Sequence, residues 1–167
     1  LDEPFSNLDA ALRQQVRSEV RAILKRSGMT CIFVTHDQHE ALSISDEVAV
    51  MMNGRVVQVD APQTLYRTPA SREVASFIGE ANFLPGSARG DRVTCALGEL
   101  PLDAAAHGAV DVLLRPETLR LKVSTNGNAV VQWCEFYGHD QRIGLLLDDS
   151  TPLVARAAAD QYYMSGD

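Results

Sequence analysis

Several features that would assign a chain to a broad class of protein are missing from this sequence of 167 residues. No uninterrupted apolar run reaches the roughly 18–20 residues that a membrane-spanning helix needs. Acidic residues outnumber basic ones by 22 to 15, and a net charge of −7 argues against broad nucleic-acid binding, because no cationic surplus can displace counterions from phosphate. The cysteines are odd in number and far apart in sequence, which argues against a disulfide framework or a metal knuckle: Cys31, Cys95 and Cys134.

The amino-acid composition is typical of a globular protein. Hydrophobic residues make up 46% and charged residues 22% of the chain, so we expect a packed core rather than disorder or a coiled coil. Apolar residues at helical spacing predict a helix over 8–26, with a row of basic residues on its solvent-facing side: Arg13, Arg17, Arg21 and Lys25. We expect Ser6 or Asn7 to cap the start of this helix and Gly28 to end it.

The residues after this helix predict an α/β domain. Residues 30–35 form a continuous apolar run, which is typical of a strand buried on both faces of a parallel sheet. Asn53-Gly54 separates two β-type runs, 47–52 and 55–60, and this pair of residues is a strong hairpin signal. Further helices are expected over 37–44, 63–66 and 72–78.

After Gly79 the pattern changes to short β-type runs separated by turn residues. These runs lie around 93–97, 110–115, 129–136, 143–147 and 153–155. Regularly spaced short strands without long helices predict a small antiparallel barrel. We place a domain boundary near Gly79–Asn82, with one domain over 1–79 and a second over 80–167. The expected fold class is therefore α/β followed by a small all-β barrel.

Two adjacent carboxylates, Asp2 and Glu3, stand where a strand is expected to end, just before Pro4. Neighbouring side chains on a strand point in different directions, so one carboxylate can hold a metal ion while the other meets a water molecule. Phosphoryl hydrolysis needs this division between Mg²⁺ coordination and a polarised nucleophile. A solvated strand end would explain an isolated Asp-Glu pair equally well.

A histidine follows the predicted buried strand, in Val34-Thr35-His36-Asp37. Open α/β sheets bind ligands at the C-terminal ends of their strands. An imidazole there can donate a hydrogen bond to a terminal phosphate or hold an attacking water. Taken alone, His36 could equally be satisfied by local backbone at the start of a helix. The other histidines are expected to be surface residues without a special role: His39, His107 and His139.

The order of these motifs resembles that of the ATP-binding subunits of ABC transporters. Residues 1–9, Leu-Asp-Glu-Pro-Phe-Ser-Asn-Leu-Asp, are similar to the end of the family's Walker B strand and its D-loop. Residues 34–38, Val-Thr-His-Asp-Gln, resemble its switch-histidine loop. Residues 113–117, Leu-Leu-Arg-Pro-Glu, resemble the central motif of the TOBE domain, a small OB-like barrel appended to import ATPases. The resemblance implies that the α/β domain is the C-terminal part of a P-loop NTPase sheet.

The resemblance implies roles for five residues. Asp2 would bind Mg²⁺, Glu3 would polarise the water that attacks ATP, and His36 would contact the γ-phosphate. Ser6 and Asp9 would belong to the D-loop, which meets a second copy of the subunit in a homodimer. An ordinary helix N-cap is an equally good local account of the residues around Ser6.

Three motifs that the family uses to bind nucleotide do not occur in the sequence. There is no G-x-x-x-x-G-K-S/T, no glutamine loop and no glycine-rich signature motif. Because all three precede Walker B in the family, we expect the chain to be a fragment of a longer protein that starts inside Walker B. The parent would be an ATPase coupled to transport, whereas the 167 residues alone are expected to be inactive.

The resemblance also implies a setting and a cargo. The parent would lie at the cytoplasmic face of the bacterial inner membrane, bound to integral permease subunits and served indirectly by a periplasmic or extracellular substrate-binding protein. Among importers of polyamines, sugars, sulfate, molybdate and ferric iron, residues 81–86, 97–102 and 136–141 look most like the ferric-iron group. The alternative is that the barrel is a regulatory, ligand-binding module of a polyamine, sugar or other oxyanion importer, with no activity of its own.

Overall fold

The character of the secondary structure changes at Gly79. The computed structural model describes residues 1–167, apart from the side chain of Ala10. Its contacts divide the chain into two units, Leu1–Gly79 and Glu80–Asp167. Over the described residues, the first unit contains the α-helices and one hairpin, and the second is built from strands and a short 3-10 helix.

The elements of the first unit follow the predicted order. Their bounds are α1 Ala10–Ser27, α2 Gln38–Ile44, β1 Val48–Met52, β2 Arg55–Asp60, α3 Pro62–Arg67 and α4 Arg72–Ile78. The predicted hairpin is confirmed, since β1 and β2 pair antiparallel and both Asn53 and Gly54 have positive φ, as a two-residue hairpin turn requires. None of the helices, over the residues described, has the length and hydropathy needed to cross a membrane.

Helix α1 begins at a different residue from the one predicted. Asp9, rather than Ser6 or Asn7, is the N-cap, because its Oδ1 accepts the backbone N–H of Leu12 at 3.0 Å. Gly28 ends the helix as predicted, with a left-handed φ of +65° that glycine adopts without steric cost. Apolar side chains of α1 remain open to solvent, with Ile23 54% exposed.

The predicted buried strand over 30–35 is wrong for this chain. Among the described residues, its sheet pairing is limited to one isolated parallel bridge, between Asp2 and Val34. Ile32 and Val34 are 77% and 56% exposed. A continuous apolar strand is buried only where strands flank both of its edges and other elements cover its faces. Backbone hydrogen bonds join this segment to Leu1 and Glu3, so the expected parallel sheet is reduced to a single bridge over the described residues.

The core of the first unit lies between the hairpin and the last two helices. It is formed by Val48, Val50, Leu65, Val74 and Ile78. Alternate residues of β1 point inward, as the period of a half-buried strand requires. Met51 and Val59, on the other face of the hairpin, are more than half exposed.

The second unit contains a long hairpin and a three-stranded meander. Its strands are β3 Asn82–Cys95, β4 Gly98–Leu114, β5 Ala129–Phe136, β6 Asp140–Leu147 and β7 Pro152–Ala158, and each contains or overlaps one of the predicted β-type runs. The segment 113–117 ends β4 and starts the 3-10 helix, Pro116–Thr118. Arg115 is buried there and its Nη1 donates to the carbonyl of Glu80 at 3.1 Å, so this motif supports the fold.

The sheets of the second unit do not close into the predicted OB-like barrel. Over the described residues β3 pairs only with β4, and β5, β6 and β7 form a separate antiparallel sheet. Both sheets contribute to one core, which includes Leu84, Val93, Val112, Ile143 and Leu145. The expectation fails because closure needs a ladder between the two sheets, and sequence periodicity does not specify such long-range pairing.

A single side chain partly replaces that ladder. The amide of Asn82 donates from Nδ2 to the carbonyl of Val154 and accepts the Val154 N–H at Oδ1, both at 2.8 Å. The same Nδ2 also donates to the carbonyl of Leu114 at 3.2 Å. Asn82 is 7% exposed, so its amide satisfies backbone groups that water cannot easily reach. Asn82, the first residue of β3, therefore links the β3–β4 hairpin to β7.

Candidate functional site

The parallel bridge places the first residues of the chain beside the segment that ends at His36. The N–H of Val34 donates to the carbonyl of Leu1 at 2.8 Å, and the N–H of Glu3 donates to the carbonyl of Val34 at 2.7 Å. Parallel pairing brings the C-terminal ends of both segments to the same edge. Glu3 and His36 therefore leave the bridge side by side.

A direct contact joins these two side chains. His36 Nδ1 donates to Glu3 Oε1 at 2.8 Å, and both side chains face solvent, with exposures of 77% and 45%. This hydrogen bond, together with the negative charge of Glu3, raises the pKa of His36 above its ordinary value. The contact therefore favours the imidazolium, and its stabilising effect is lost as pH rises through the raised pKa.

Glu3 adopts a backbone conformation that is rare for its type. Its φ is +42°, in the left-handed region that side chains other than glycine enter at a cost. Such outliers persist where the surroundings fix them, and they are frequent at functional sites. Here Glu3 is held by its N–H bond to Val34 and by the hydroxyl of Ser6, which donates to the Glu3 carbonyl at 3.0 Å.

The other predicted site residues differ in whether they contact the Glu3–His36 pair. Asp2 is exposed and takes part in the bridge through its backbone, next to Glu3. Ser6 joins the site through the Glu3 carbonyl. Asp9 does not, because its carboxylate caps α1. Among the described residues no group of three or more His, Cys, Asp and Glu side chains is arranged to hold a metal ion.

Sequence reasoning missed three side chains around His36: Arg13, Thr35 and Glu40. The guanidinium of Arg13, assigned to a solvent-facing row, lies instead between α1 and the His36 loop. Glu40 is 4% exposed, although glutamate is almost never buried without partners. One sequence signal was available, since Asp37 followed three residues later by Glu40 resembles a capping box, and Asp37 does cap α2.

An open groove of about 830 Å³ runs from α1 past this loop to β1 and α4. Its lining includes His36 together with Phe5, Ile32, Phe33 and Phe77. The groove follows the exposed 30–35 segment, whose sheet pairing over the described residues is limited to one bridge.

Curated proteins match the chain along most of its length, although no protein-family model does. It is 40% identical to the spermidine/putrescine import ATP-binding protein PotA of Ruegeria pomeroyi, over 93% of this chain and 45% of that protein. It is 43% identical to the Fe(3+) ions import ATP-binding protein FbpC 2 of Rhodococcus jostii, over 89% of this chain and 43% of that protein. It is 40% identical to the sulfate/thiosulfate import ATP-binding protein CysA of Xylella fastidiosa, over 97% of this chain and 48% of that protein.

The chain spans about half the length of these curated relatives. Their names differ in the cargo but agree in describing import ATP-binding proteins, which confirms the resemblance seen in the motifs. The chain is therefore homologous, over most of its residues, to the ATP-binding subunits of ABC importers.

Proposed function

We propose that this chain carries the water-activating part of the catalytic site of an ABC import ATPase. The observation that carries the proposal is the 2.8 Å contact between His36 Nδ1 and Glu3 Oε1 at the end of a parallel bridge. A carboxylate beside a histidine, both exposed at the edge of an α/β unit, is suited to acid–base work on a phosphate ester. The relatives, all called import ATP-binding proteins, supply the reaction class.

The two side chains divide the chemistry between them. Glu3 Oε1 accepts from His36, which leaves Oε2 to accept the proton of an attacking water. His36 uses Nδ1 for Glu3, so Nε2 on the opposite side of the ring is left for the γ-phosphate of ATP. Because Glu3 favours the protonated ring, His36 would bring positive charge to a group that gains negative charge during hydrolysis.

Asp2 is the residue we propose for Mg²⁺. One exposed carboxylate beside Glu3 fits an ion that usually takes one or two carboxylates and completes its shell with water and substrate phosphates. It does not fit an ion held by protein groups alone, since no cluster of three acidic, histidine or cysteine ligands occurs among the described residues. When bound there, Mg²⁺ would neutralise phosphate charge.

Ser6 and Asp9 are proposed to lie at the contact with a second copy of the subunit. Both are exposed in the loop between the bridge and α1. Ser6 is tied to the carbonyl of Glu3, so a protein that bound this loop would act close to the catalytic carboxylate. We further propose that the whole protein works at the cytoplasmic face of the inner membrane, bound to permease subunits. A substrate-binding protein would deliver the cargo to those subunits.

Ferric iron is the cargo we propose. The relatives include Fe(3+) import proteins at 43% and 41% identity, but also spermidine/putrescine and sulfate import proteins at 40%. The three segments that look most like the ferric-iron group carry this choice, all of them in the second unit. The alternative of a purely regulatory module is not favoured, because the relatives are described as ATP-binding proteins across the match.

Uptake by chimeric importers tests this function and its cargo together. This chain would replace the residues it matches in the PotA, FbpC 2 and CysA relatives, each expressed in a strain that lacks the corresponding protein. We expect Fe(3+) uptake to recover with the FbpC 2 chimera and the other two cargoes to recover less. Equal recovery of all three would reject the ferric-iron assignment. Recovery by none of three well-expressed chimeras would reject the proposed function.

A further inference from the structure

Arg13 connects the loop before α1 with the loop that carries His36. It lies in the first turns of α1, and its Nη2 donates to the carbonyl of Leu8 at 2.8 Å. On the other side its Nη1 lies 3.6 Å from Asp37 Oδ2 and its Nε lies 3.9 Å from Glu40 Oε1. The guanidinium therefore contacts the two sequence neighbourhoods that contain Ser6–Asp9 and His36.

Glu40 is the buried anchor of the same network. Its Oε2 accepts the hydroxyl proton of Thr35 at 2.7 Å, and Thr35 Oγ1 in turn accepts the N–H of Asp37 at 3.0 Å. A buried carboxylate is costly unless it is paired and hydrogen-bonded, so Glu40 depends on Thr35 and on the nearby charge of Arg13. Thr35 and Asp37 are the residues immediately before and after His36. Because both belong to this hydrogen-bond network, the network fixes the backbone on each side of His36.

We propose that Arg13 and Glu40 are positioning residues that hold His36 against Glu3 and couple the His36 loop to the Ser6–Asp9 loop. Their part in catalysis rests on the proposed function, whereas the coupling between the two loops does not. A displacement of Leu8 would move Arg13, and Arg13 would then release Asp37 and Glu40. Binding of a second protein to the Ser6–Asp9 loop would in this way change the contact between His36 and Glu3.

Other contacts also hold α1 against α2 and the residues that follow it. Arg21 Nη1 donates to the carbonyl of Ser43 at 2.6 Å, and Lys25 Nζ donates to Asp46 at 2.7 Å. Arg21 and Lys25 lie further along α1, and they contact the last turn of α2 and the residues just after it rather than the His36 loop. Arg21 therefore offers a matched control, a basic residue on the same helix that contacts the same neighbour but not the loop.

Ring ¹⁵N NMR of His36 in the 167-residue chain tests the proposal. The charged groups that face His36 are Glu3, Asp37 and Glu40, with Arg13 behind the last two. Loss of the Arg13 charge would by itself raise the His36 pKa, whereas loss of the Glu3 contact would lower it. We expect Arg13→Gln to lower the pKa of His36 toward its ordinary value and to weaken the NMR signature of the Nδ1–H hydrogen bond. A positioning role and a purely electrostatic effect of Arg13 therefore predict opposite changes in the His36 pKa.

Three further variants complete the experiment. Arg13→Lys keeps the charge and should restore part of the signature, and Arg21→Gln should leave it unchanged. Thr35→Val alters no charge and should lower the pKa in the same direction, which provides the answer if Arg13→Gln does not fold. An unchanged or raised pKa in a folded Arg13→Gln or Thr35→Val protein overturns the proposal, as does an equal fall with Arg21→Gln. ATP hydrolysis is not measured, so this failure is separate from failure of the proposed function.

Discussion

We expect Glu3→Gln to lower ATP turnover by about 10²–10⁴-fold in the FbpC 2 chimera, the range that general-base catalysis typically contributes. The substitution keeps the size of the side chain and an oxygen that can accept from His36 Nδ1, but it removes the carboxylate that would take a proton from water. Affinity for ATP should stay within about twofold, because the role proposed for Glu3 is to act on the nucleophile rather than on nucleotide binding. Steady-state phosphate release and fluorescent-nucleotide titration measure the two quantities.

The matched control is Glu19→Gln. Glu19 is exposed on α1 and accepts a hydrogen bond from Gln15, away from the site, so its replacement should leave turnover unchanged. A Glu3→Gln chimera that turns over ATP at a rate close to that of the parent would remove Glu3 from the mechanism. An equal loss of turnover and ATP affinity would also contradict the assignment, because it would indicate general damage to the fold.

Asn82→Leu is expected to destabilise the second unit by about 2–4 kcal/mol. The two side chains are similar in volume, but leucine leaves the N–H and carbonyl of Val154 and the carbonyl of Leu114 without the partner that Asn82 provides. Unsatisfied buried backbone groups cost about 1–3 kcal/mol each, and partial relaxation reduces the sum. Trp133, the one tryptophan of the sequence, lies on β5, so urea unfolding followed by its fluorescence reports on this unit.

Asn126→Leu is the control for Asn82→Leu, since Asn126 is exposed in the loop before β5. Exposed substitutions of this kind usually change stability by less than about 0.5 kcal/mol. A free energy of unfolding that falls equally in both variants would show that the amide of Asn82 does not join the two sheets. Asn82→Asp should also destabilise the unit, because it loses both donated hydrogen bonds and buries a charge.

The elements that sequence predicted well are those specified by neighbouring residues. Helix α1 follows from apolar spacing and ends at Gly28, and the β1–β2 hairpin follows from Asn53-Gly54. The N-cap of α1 was assigned to the wrong residue because Ser6, Asn7 and Asp9 are all good N-caps. The structure decides in favour of Asp9, because it is the Asp9 carboxylate that accepts the backbone N–H of Leu12 in the first turn of the helix.

The failures all concern contacts between distant parts of the chain. The apolar run 30–35 has the composition of a buried strand, but burial depends on flanking strands that its own sequence does not specify. Barrel closure failed for the same reason, since β3 and β7 meet through Asn82 instead of a ladder. Spacing predicted a solvent-facing Arg13, because the sequence of α1 could not show that Asp37 and Glu40 lie against that side of the helix.

The candidate site could be predicted in part. The sequence singled out Glu3 and His36 separately, each at the end of an expected strand, and the structure brings the two side chains to 2.8 Å. The left-handed φ of Glu3 left no trace in the sequence, because glutamate is an unusual choice for that conformation. Glu40 was visible as a sequence motif, but its burial depends on the packing of Arg13 and Thr35 around it.

Mg²⁺-dependent ATP hydrolysis by the FbpC 2 chimera, measured beside the isolated 167-residue chain, tests the central claim most directly. We expect the chimera to hydrolyse ATP at a rate comparable to that of the unaltered relative, and the isolated chain to show no activity above background, because its sequence lacks the G-x-x-x-x-G-K-S/T phosphate cradle. A folded chimera that binds ATP without hydrolysing it would contradict the catalytic role of Glu3 and His36. Hydrolysis by the isolated chain would contradict the expectation that it needs a separate phosphate-binding half.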